Sequence, residues 1–262
     1  MTYPTPSLSD TTLADVLELE ELEPTVFRSV AVYDDPYPLY GGQIAAQALL
    51  AAGRTVPAER VPHSLHSYYL RGGTAAKPVR LHVEEDRDGR SYSARRVRGV
   101  QDGATIFTLS ASFVTPGAGP EYEFIPIPDL AAPKTLPRRE GGRMVSMEVR
   151  VTPQRTDSIP LPTAFWARSE IALPRSPLVH ACVLTYISDA SSGLFDAPEG
   201  AHRAGSSLDH AVWFHRPALL DDWIFVDLVP ALVAGGRGFY TGTVRRTDGA
   251  LLATLAQESL FR

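Results

Sequence analysis

An internal repeat constrains the fold of this chain more than any single motif does. Three pairs of matching residues recur at nearly the same separation along the sequence. The separations are 145, 147 and 146 residues for Arg71 with Arg216, Gly89-Arg90 with Gly236-Arg237, and Asp102-Gly103 with Asp248-Gly249. Three anchors within one residue of a common separation indicate a duplicated unit. A chain of 262 residues is long enough for two such units, each with its own core.

Each copy of the repeat predicts one helix followed by four strands. In the first copy, residues 39–53 are rich in Ala, Leu and Gln, which predicts a buried helix that ends at Gly53. Runs rich in Val, Tyr, Phe, Thr and Ile, separated by turn signals, predict strands at 63–71, 78–87, 91–100 and 104–115. The second copy keeps the same order, with a helix at 178–190 and strands at 208–216, 222–232, 237–246 and 250–261.

The region between the copies has a different composition. Residues 116–143 carry six prolines, which predicts a connecting segment that does not pair regularly in a sheet. We therefore divide the chain into an N-terminal repeat at 1–115, a Pro-rich linker at 116–143 and a C-terminal repeat at 144–262. Near the N-terminus, LADVLELEELE predicts an amphipathic helix with Asp10 or Thr11 as its cap.

The ratio of helices to strands sets the fold class. One helix for four antiparallel strands is too few for a doubly wound parallel sheet, in which strands and helices alternate. We expect an α+β protein in which each helix is buried against a curved sheet. The two sheets then join edge to edge or pack as a pseudo-dimer.

Composition excludes several classes of function. No apolar run is long enough to span a bilayer, and a net charge of −5 gives no basic footprint for nucleic acid. A small molecule or a protein is therefore the expected partner. The N-terminus lacks the basic and apolar regions of a secretory signal, and Cys182 has no second cysteine to pair with. Both features favour the cytoplasm.

Common catalytic motifs are missing or incomplete. The absence of G-x-S-x-G argues against an α/β serine hydrolase, and GRGFYTG has the wrong glycine spacing for a dinucleotide loop. Asp209, His210 and His215 fall on one predicted strand, where their spacing turns them to different faces, so no metal site is expected. Cys182 lies in an apolar helix pattern and is predicted to be a core residue.

The two copies differ at two polar positions of the second copy. Asp209 and Gln257 correspond to Ser64 and Ala111, so the acid and the amide occur only once. A polar asymmetry on a symmetric scaffold indicates a functional site, because an unpaired carboxylate on an apolar strand face is costly. Two structural interpretations stay open: Asp209 could cap a backbone amide at the start of its strand, and Gln257 could face outward at a sheet edge.

Long segments of the chain resemble one known family. The segments are LYGGQIAAQALLAAGRTVP, PHSLHSYYLRGG, DGRSYSARRVRGVQDGATIFTLSASF and LDHAVWFHRP, together with GGRGF and QES. They are similar to the acyl-CoA thioesterase II family, the TesB-like double-hotdog proteins, from LEELEPTVFR to the C-terminus. The resemblance implies two tandem hotdog folds, hydrolysis of acyl-CoA to fatty acid and coenzyme A, and no metal or organic cofactor.

The resemblance also implies how water is held. Family members use an Asp, a Thr or Ser, and a Gln, which we place on Asp209, on the position of Ala231 and on Gln257. The hydroxyl is then missing at Ala231, and the water keeps two partners. We expect His210, His215 and Arg216 to be structural or to support Asp209 without contacting the water.

Stabilisation of the oxyanion requires separate donors. We expect them to be the free backbone N–H groups of Gly41, Gly42 and Gln43, because glycines at a helix start allow close approach and the helix dipole is positive there.

The missing hydroxyl leaves a second function open, a non-catalytic or weakly active acyl-CoA or acyl-chain binding protein of the same fold. A hotdog dehydratase or hydratase is disfavoured, because those use a histidine with an acid on the central helix and residues 41–53 contain neither. The sequence also leaves open whether the chain forms a homo-oligomer, although fused hotdogs commonly pair further.

Overall fold

The computed structural model describes residues 7–139, 142–154, 162–190 and 204–262. Within those residues the α-helices are α1 (Leu13–Leu17), α2 (Gly41–Gly53) and α3 (Pro177–Ser188). The strands are β1 (Leu19–Glu23), β2 (Val26–Ser29), β3 (Val61–Tyr69), β4 (Arg80–Asp88), β5 (Tyr92–Gln101), β6 (Ala104–Val114), β7 (Arg138–Arg139), β8 (Met147–Val151), β9 (Ala164–Ser169), β10 (Ala204–Ser207), β11 (Asp209–Phe214), β12 (Ile224–Ala234), β13 (Arg237–Arg246) and β14 (Leu251–Phe261).

These strands form one continuous antiparallel sheet. Its order is β1-β2-β4-β5-β6-β3-β11-β14-β13-β12-β9-β8-β7, and β10 adds to β14 off this path. The order of the first half is mirrored in the second, with β3 equivalent to β11 and β6 to β14. The halves join where β3 pairs with β11, with Leu65 opposite Val212. Of the two arrangements predicted, the edge-to-edge junction is the one formed.

The two longer helices lie inside the curved sheet. α2 (GGQIAAQALLAAG) and α3 (PLVHACVLTYIS) are buried on nearly all sides, which suits their uniformly apolar sequences. They run antiparallel: Leu178 at the start of α3 lies against Gly53 at the end of α2, and the Tyr40 hydroxyl donates to the backbone carbonyl of Tyr186 at 2.6 Å. The end of α3 therefore meets the start of α2.

The backbones of these two helices approach closely at one point. A methyl group on Gly42 would lie 2.3 Å from the carbonyl oxygen of Tyr186, which no real contact allows. Glycine is required there because only its lack of a side chain lets the two helices touch.

The predicted repeat elements are present with shifts of a few residues, whereas the N-terminal segment differs. The helix there is only Leu13–Leu17, and its cap is Thr12, whose hydroxyl accepts from the Asp15 amide at 3.2 Å. The following LEELE is the edge strand β1, so the long amphipathic helix capped by Asp10 or Thr11 is wrong. An edge strand tolerates a row of exposed glutamates because the charges discourage pairing with another chain.

The Pro-rich linker runs over the outside of the second half and is held by a buried arginine. Arg245 is fully buried and forms an ion pair with Glu123 at 2.5 Å, and it also donates to the backbone carbonyls of Ile125 and Pro126. Most of the linker is irregular, as expected, but Arg138–Arg139 pairs with β8. The division of the chain after residues 115 and 143 stays a prediction. Within the described ranges, no helix is both long and apolar enough to cross a bilayer.

Candidate active site

Gln257 is buried at the centre of a polar cluster whose other members, Asp189 and Ser207, are half-buried. It sits on β14, where Leu255, Gln257 and Ser259 share the inner face of the sheet, and only 1% of the residue is exposed. Its amide nitrogen donates to Oδ1 of Asp189 at 2.7 Å and to the Ser207 hydroxyl at 2.6 Å. The outward-facing interpretation of Gln257 is therefore wrong.

Asp189 supplies the carboxylate of this cluster. It is the residue that caps the C-terminus of α3, and the antiparallel packing of the helices places it at the N-terminus of α2. A methyl group on Gly41 would lie 2.4 Å from its Oδ2, and the Gly42 backbone N–H donates to the carboxylate. The positive end of the α2 dipole faces the acid, which favours its ionised form.

The environment of Asp189 pulls its pKa in two directions. Burial of the carboxyl raises the pKa of Asp189 above its ordinary value, and this effect is the largest. His210, Gln257, Ser207 and Gly42 act in the opposite direction, because each favours the charged form. A carboxyl group whose pKa is raised, and whose charged form is still stabilised by several donors, is suited to act as a general base.

Ser207 completes the cluster because the strand is irregular. Its hydroxyl donates to Oδ1 of Asp189 at 2.9 Å. Ser207 lies opposite Ser259 on β14, and Ala211 lies opposite Ala256. The chain therefore advances four residues from Ser207 to Ala211 while β14 advances only three. This extra residue is a β-bulge, and bulges re-aim side chains. Strict alternation would put Ser207 on the outer face with Ala211, whereas the bulge turns it inward.

Asp209 points away from this cluster. On β11, His210 and Val212 are buried, whereas Asp209, Ala211 and Trp213 share the outer face. Oδ1 of Asp209 accepts from the backbone N–H of Glu258 at 2.8 Å. The expectation that Asp209 and Gln257 lie side by side is therefore wrong. The alternative holds instead, because Asp209 caps a backbone amide where the bulge interrupts the ladder.

Ala231 is also outside the cluster. It falls at an irregularity between the pairs Pro230–Tyr240 and Leu232–Phe239, and it is exposed. Ala231 therefore does not lie beside Gln257, and the hydroxyl that bonds both the acid and the amide is that of Ser207.

The predicted oxyanion donors do lie beside the acid, but two of them are engaged. The backbone N–H of Gly42 donates to Asp189, and that of Gln43 donates to the Tyr40 carbonyl at 3.1 Å. The Gln43 side chain is buried and accepts from the Tyr33 hydroxyl at 2.5 Å. The prediction that all three amides are free is wrong, and Gly41 is the one not engaged within the described residues.

Comparisons with known proteins agree with the resemblance in the sequence. The family model described as acyl-CoA thioesterase C-terminal domain matches residues 125–261, and that of the N-terminal domain matches residues 34–114. Acyl-coenzyme A thioesterase 8 of Homo sapiens is 32% identical over 291 aligned residues, which cover 99% of this chain and 91% of the human protein. The chain belongs to the acyl-CoA thioesterase family.

Solved structures support the same assignment. Acyl-CoA thioesterase II TesB2 from Mycobacterium marinum has a TM-score of 0.81 at 34% identity, covering 95% of this chain and 97% of that chain. A conserved hot dog fold protein from Alicyclobacillus acidocaldarius has a TM-score of 0.78 at 20% identity, covering 96% of this chain and 99% of that chain. The second likeness concerns the fold alone. The predicted α+β double hotdog is confirmed.

In this acyl-CoA thioesterase family member, the equivalent positions of the first repeat carry neither the acid nor the amide. The residue that caps α2 is Arg54, in the place that Asp189 has after α3, and its guanidinium donates to the Leu19 carbonyl at 2.8 Å. Ala111 occupies the place of Gln257 and is buried in the core. The duplicated fold therefore carries the acid–amide pair in one half.

The remaining polar candidates separate into one buried residue and two nearer the surface. His210 is fully buried, with Nε2 2.7 Å from the Ser188 hydroxyl oxygen. His215 is exposed and bonds Thr254, and Arg216 pairs with Glu121 and Glu123 of the linker. Cys182 is enclosed in the core, and burial raises the pKa of its thiol far above the ordinary value. Among the described residues, no group of three His, Cys, Asp or Glu could hold a metal ion.

Proposed function

We propose that this chain hydrolyses acyl-CoA thioesters to a free fatty acid and coenzyme A, with the attacking water bound and activated by Asp189, whose carboxylate Ser207 and Gln257 hold in place. The observation that carries the proposal is the closed set of hydrogen bonds among these three side chains, each within 2.9 Å of the next. They are an acid, a hydroxyl and an amide, the combination that the resemblance implies. This assignment replaces Asp209 and Ala231 by Asp189 and Ser207.

The chemistry follows from the charge at Asp189. A thioester is already an activated acyl group, so a positioned water can attack it without a covalent enzyme intermediate. The water oxygen bonds to the carbonyl carbon while a water proton moves to the Asp189 carboxylate. The tetrahedral oxyanion then collapses, the carbon–sulfur bond breaks, and the thiolate of coenzyme A takes up the proton from Asp189. Gln257 and Ser207 keep the carboxylate oriented through donated hydrogen bonds.

The start of α2 lies directly against the acid. A methyl group on Gly41 would lie 2.4 Å from Oδ2 of Asp189, so only glycine lets the backbone approach this oxygen so closely. The backbone N–H of Gly41 is the best donor for the oxyanion among the three expected ones, and the helix dipole is positive at this end. The proposed base and the proposed oxyanion donor are therefore next to each other at the start of α2.

The competing function, an acyl-CoA or acyl-chain binding protein without turnover, depended on a missing hydroxyl. Ser207 supplies that hydroxyl, so hydrolysis is favoured. Release of free thiol from a panel of acyl-CoA chain lengths tests the choice, with calorimetric binding of the same compounds measured in parallel. Steady thiol release supports hydrolysis. Binding of an acyl-CoA without thiol release at any chain length would support the binding protein instead. We also propose that the protein is cytoplasmic and that it forms a homo-oligomer.

A further inference from the structure

His210 lies against the proposed water-binding cluster without an assigned role. It precedes Ala211, which pairs with Ala256, and Gln257 follows Ala256, so the two buried side chains project from neighbouring positions of facing strands. Both lie on the inner face of the sheet. The His210 ring is therefore beside the amide that bonds Asp189 and Ser207.

Two buried atoms at this contact have no partner with good hydrogen-bond geometry among the described residues. They are Nδ1 of His210 and Oε1 of Gln257. An unsatisfied buried polar atom destabilises the folded protein, so a neighbouring pair of such atoms calls for an explanation. Oε1 can only accept, whereas Nδ1 donates or accepts according to the position of the ring proton.

One placement of the ring proton satisfies both atoms. We propose that His210 carries its proton on Nδ1 and donates it to Oε1 of Gln257, as a positioning residue that keeps the amide nitrogen turned toward Asp189 and Ser207. Nε2 then accepts the Ser188 hydroxyl proton across 2.7 Å, and that proton turns away from the Thr185 carbonyl, which lies 2.9 Å from the same hydroxyl. This inference rests on the proposed function, because it gives Gln257 the orientation that the proposed mechanism needs.

The other neutral form of the ring leaves both atoms unsatisfied. With the proton on Nε2, His210 donates to Ser188, whose own proton goes to the Thr185 carbonyl at 2.9 Å. The lone pair of Nδ1 then faces the lone pairs of Oε1, and these repel. Rotating the Gln257 amide to relieve that contact would exchange its oxygen and nitrogen. Oε1 of Gln257 would then lie about 2.7 Å from the Asp189 carboxylate, where Nε2 of Gln257 lies now. The result would be repulsion at the acid itself.

The charge of the ring is set by its surroundings. Burial is the largest effect and lowers the pKa of His210, whereas Asp189, Gln257 and Asp209 raise it. A neutral ring with one proton is the form in which the position of that proton matters.

Nitrogen NMR of the ¹⁵N-histidine-labelled protein tests the proton position directly. The resonances of His210 are identified as those lost in the His210→Asn variant, with His215→Asn as a matched control. The expected result is a protonated, pyrrole-type Nδ1 and an unprotonated, pyridine-type Nε2. A protonated Nε2 with an unprotonated Nδ1, or a doubly protonated ring at neutral pH, overturns the proposal. This measurement needs no turnover and stands apart from the proposed function.

Kinetics of two substitutions tests the positioning role. The amide nitrogen of Asn overlaps Nδ1 and that of Gln overlaps Nε2, so His210→Asn keeps the donor to Gln257 and His210→Gln keeps only the contact with Ser188. We expect kcat within about threefold of wild type for His210→Asn and a loss of about tenfold for His210→Gln, with KM nearly unchanged in both. Equal losses in the two variants would overturn the positioning role. If the wild-type protein releases no thiol, the proposed function fails and the NMR result decides the proton position alone.

Discussion

The side-chain amide nitrogen of Gln257 lies 2.7 Å from Oδ1 of Asp189, although 68 residues separate them in the chain. Gln257 comes from a strand in the middle of the second half, and Asp189 from the end of the second buried helix. The first half contributes Gly41 at the start of α2, which lies against the acid. The cluster therefore needs both repeats, and it explains why a duplicated scaffold carries one site.

The hydroxyl of Ser207 gives the first prediction. Ser207→Ala removes a hydrogen bond to a charged group, worth about 1.5 to 3 kcal/mol, so kcat should fall by about tenfold to a hundredfold. Ser207→Thr restores the hydroxyl and should recover most of the rate. Ala231→Thr is the matched control, because Ala231 is exposed away from the acid, and it should leave the rate unchanged. A faster Ala231→Thr enzyme would mean that the hydroxyl position has been misplaced.

The pH dependence of kcat/KM follows from the raised pKa of Asp189. The proposed base must be ionised, and burial raises its pKa, so activity should fall with decreasing pH at a higher pH than an ordinary Asp would give. Ser207→Ala removes a donor that favours the charged form and should move this acidic limb further upward. A limb at the ordinary pKa of an exposed Asp in both proteins would contradict the role of the buried carboxyl.

Gly41 gives a steric prediction. A methyl group there would lie 2.4 Å from Oδ2 of Asp189 and 2.9 Å from the Tyr69 ring, so Gly41→Ala must displace the acid. A misplacement of about 1 Å can cost about a hundredfold in rate, and we expect a loss of that size in kcat/KM. Gly117→Ala, where nothing lies within 4 Å, serves as the control. Thermal unfolding of both variants shows whether the loss is one of chemistry or of folding.

The main elements of the fold could be predicted because the two repeats obey the same local rules. Apolar residues alternate with polar ones along the strands, and glycine-containing turns separate them, so helix and strand positions shift by only a few residues. The N-terminal LEELE is harder to predict, since two leucines three residues apart among glutamates suit a helix surface as well as an edge strand. Its pairing with β2, not its own sequence, decides the outcome.

The site could be predicted only in part. Gln257 stands out as an amide in an apolar strand, and the resemblance named the three residue types. Asp189 was overlooked because an acid at the end of a predicted helix suggests a capping residue, and only the antiparallel packing of α3 on α2 brings it to the cluster. Ser207 was overlooked because a β-bulge breaks the two-residue period from which facing is read. Nothing in the local sequence marks the position of that extra residue.

The most direct test compares two acid-to-amide variants, Asp189→Asn and Asp209→Asn, by thiol release from the best acyl-CoA substrate. Asp189→Asn removes the proposed base and should lower kcat/KM by at least about a hundredfold, with a folded protein by circular dichroism. Asp209→Asn keeps an oxygen for the Glu258 amide, so it should stay within about threefold of wild type. A large loss for Asp209→Asn together with near wild-type turnover for Asp189→Asn would contradict the account.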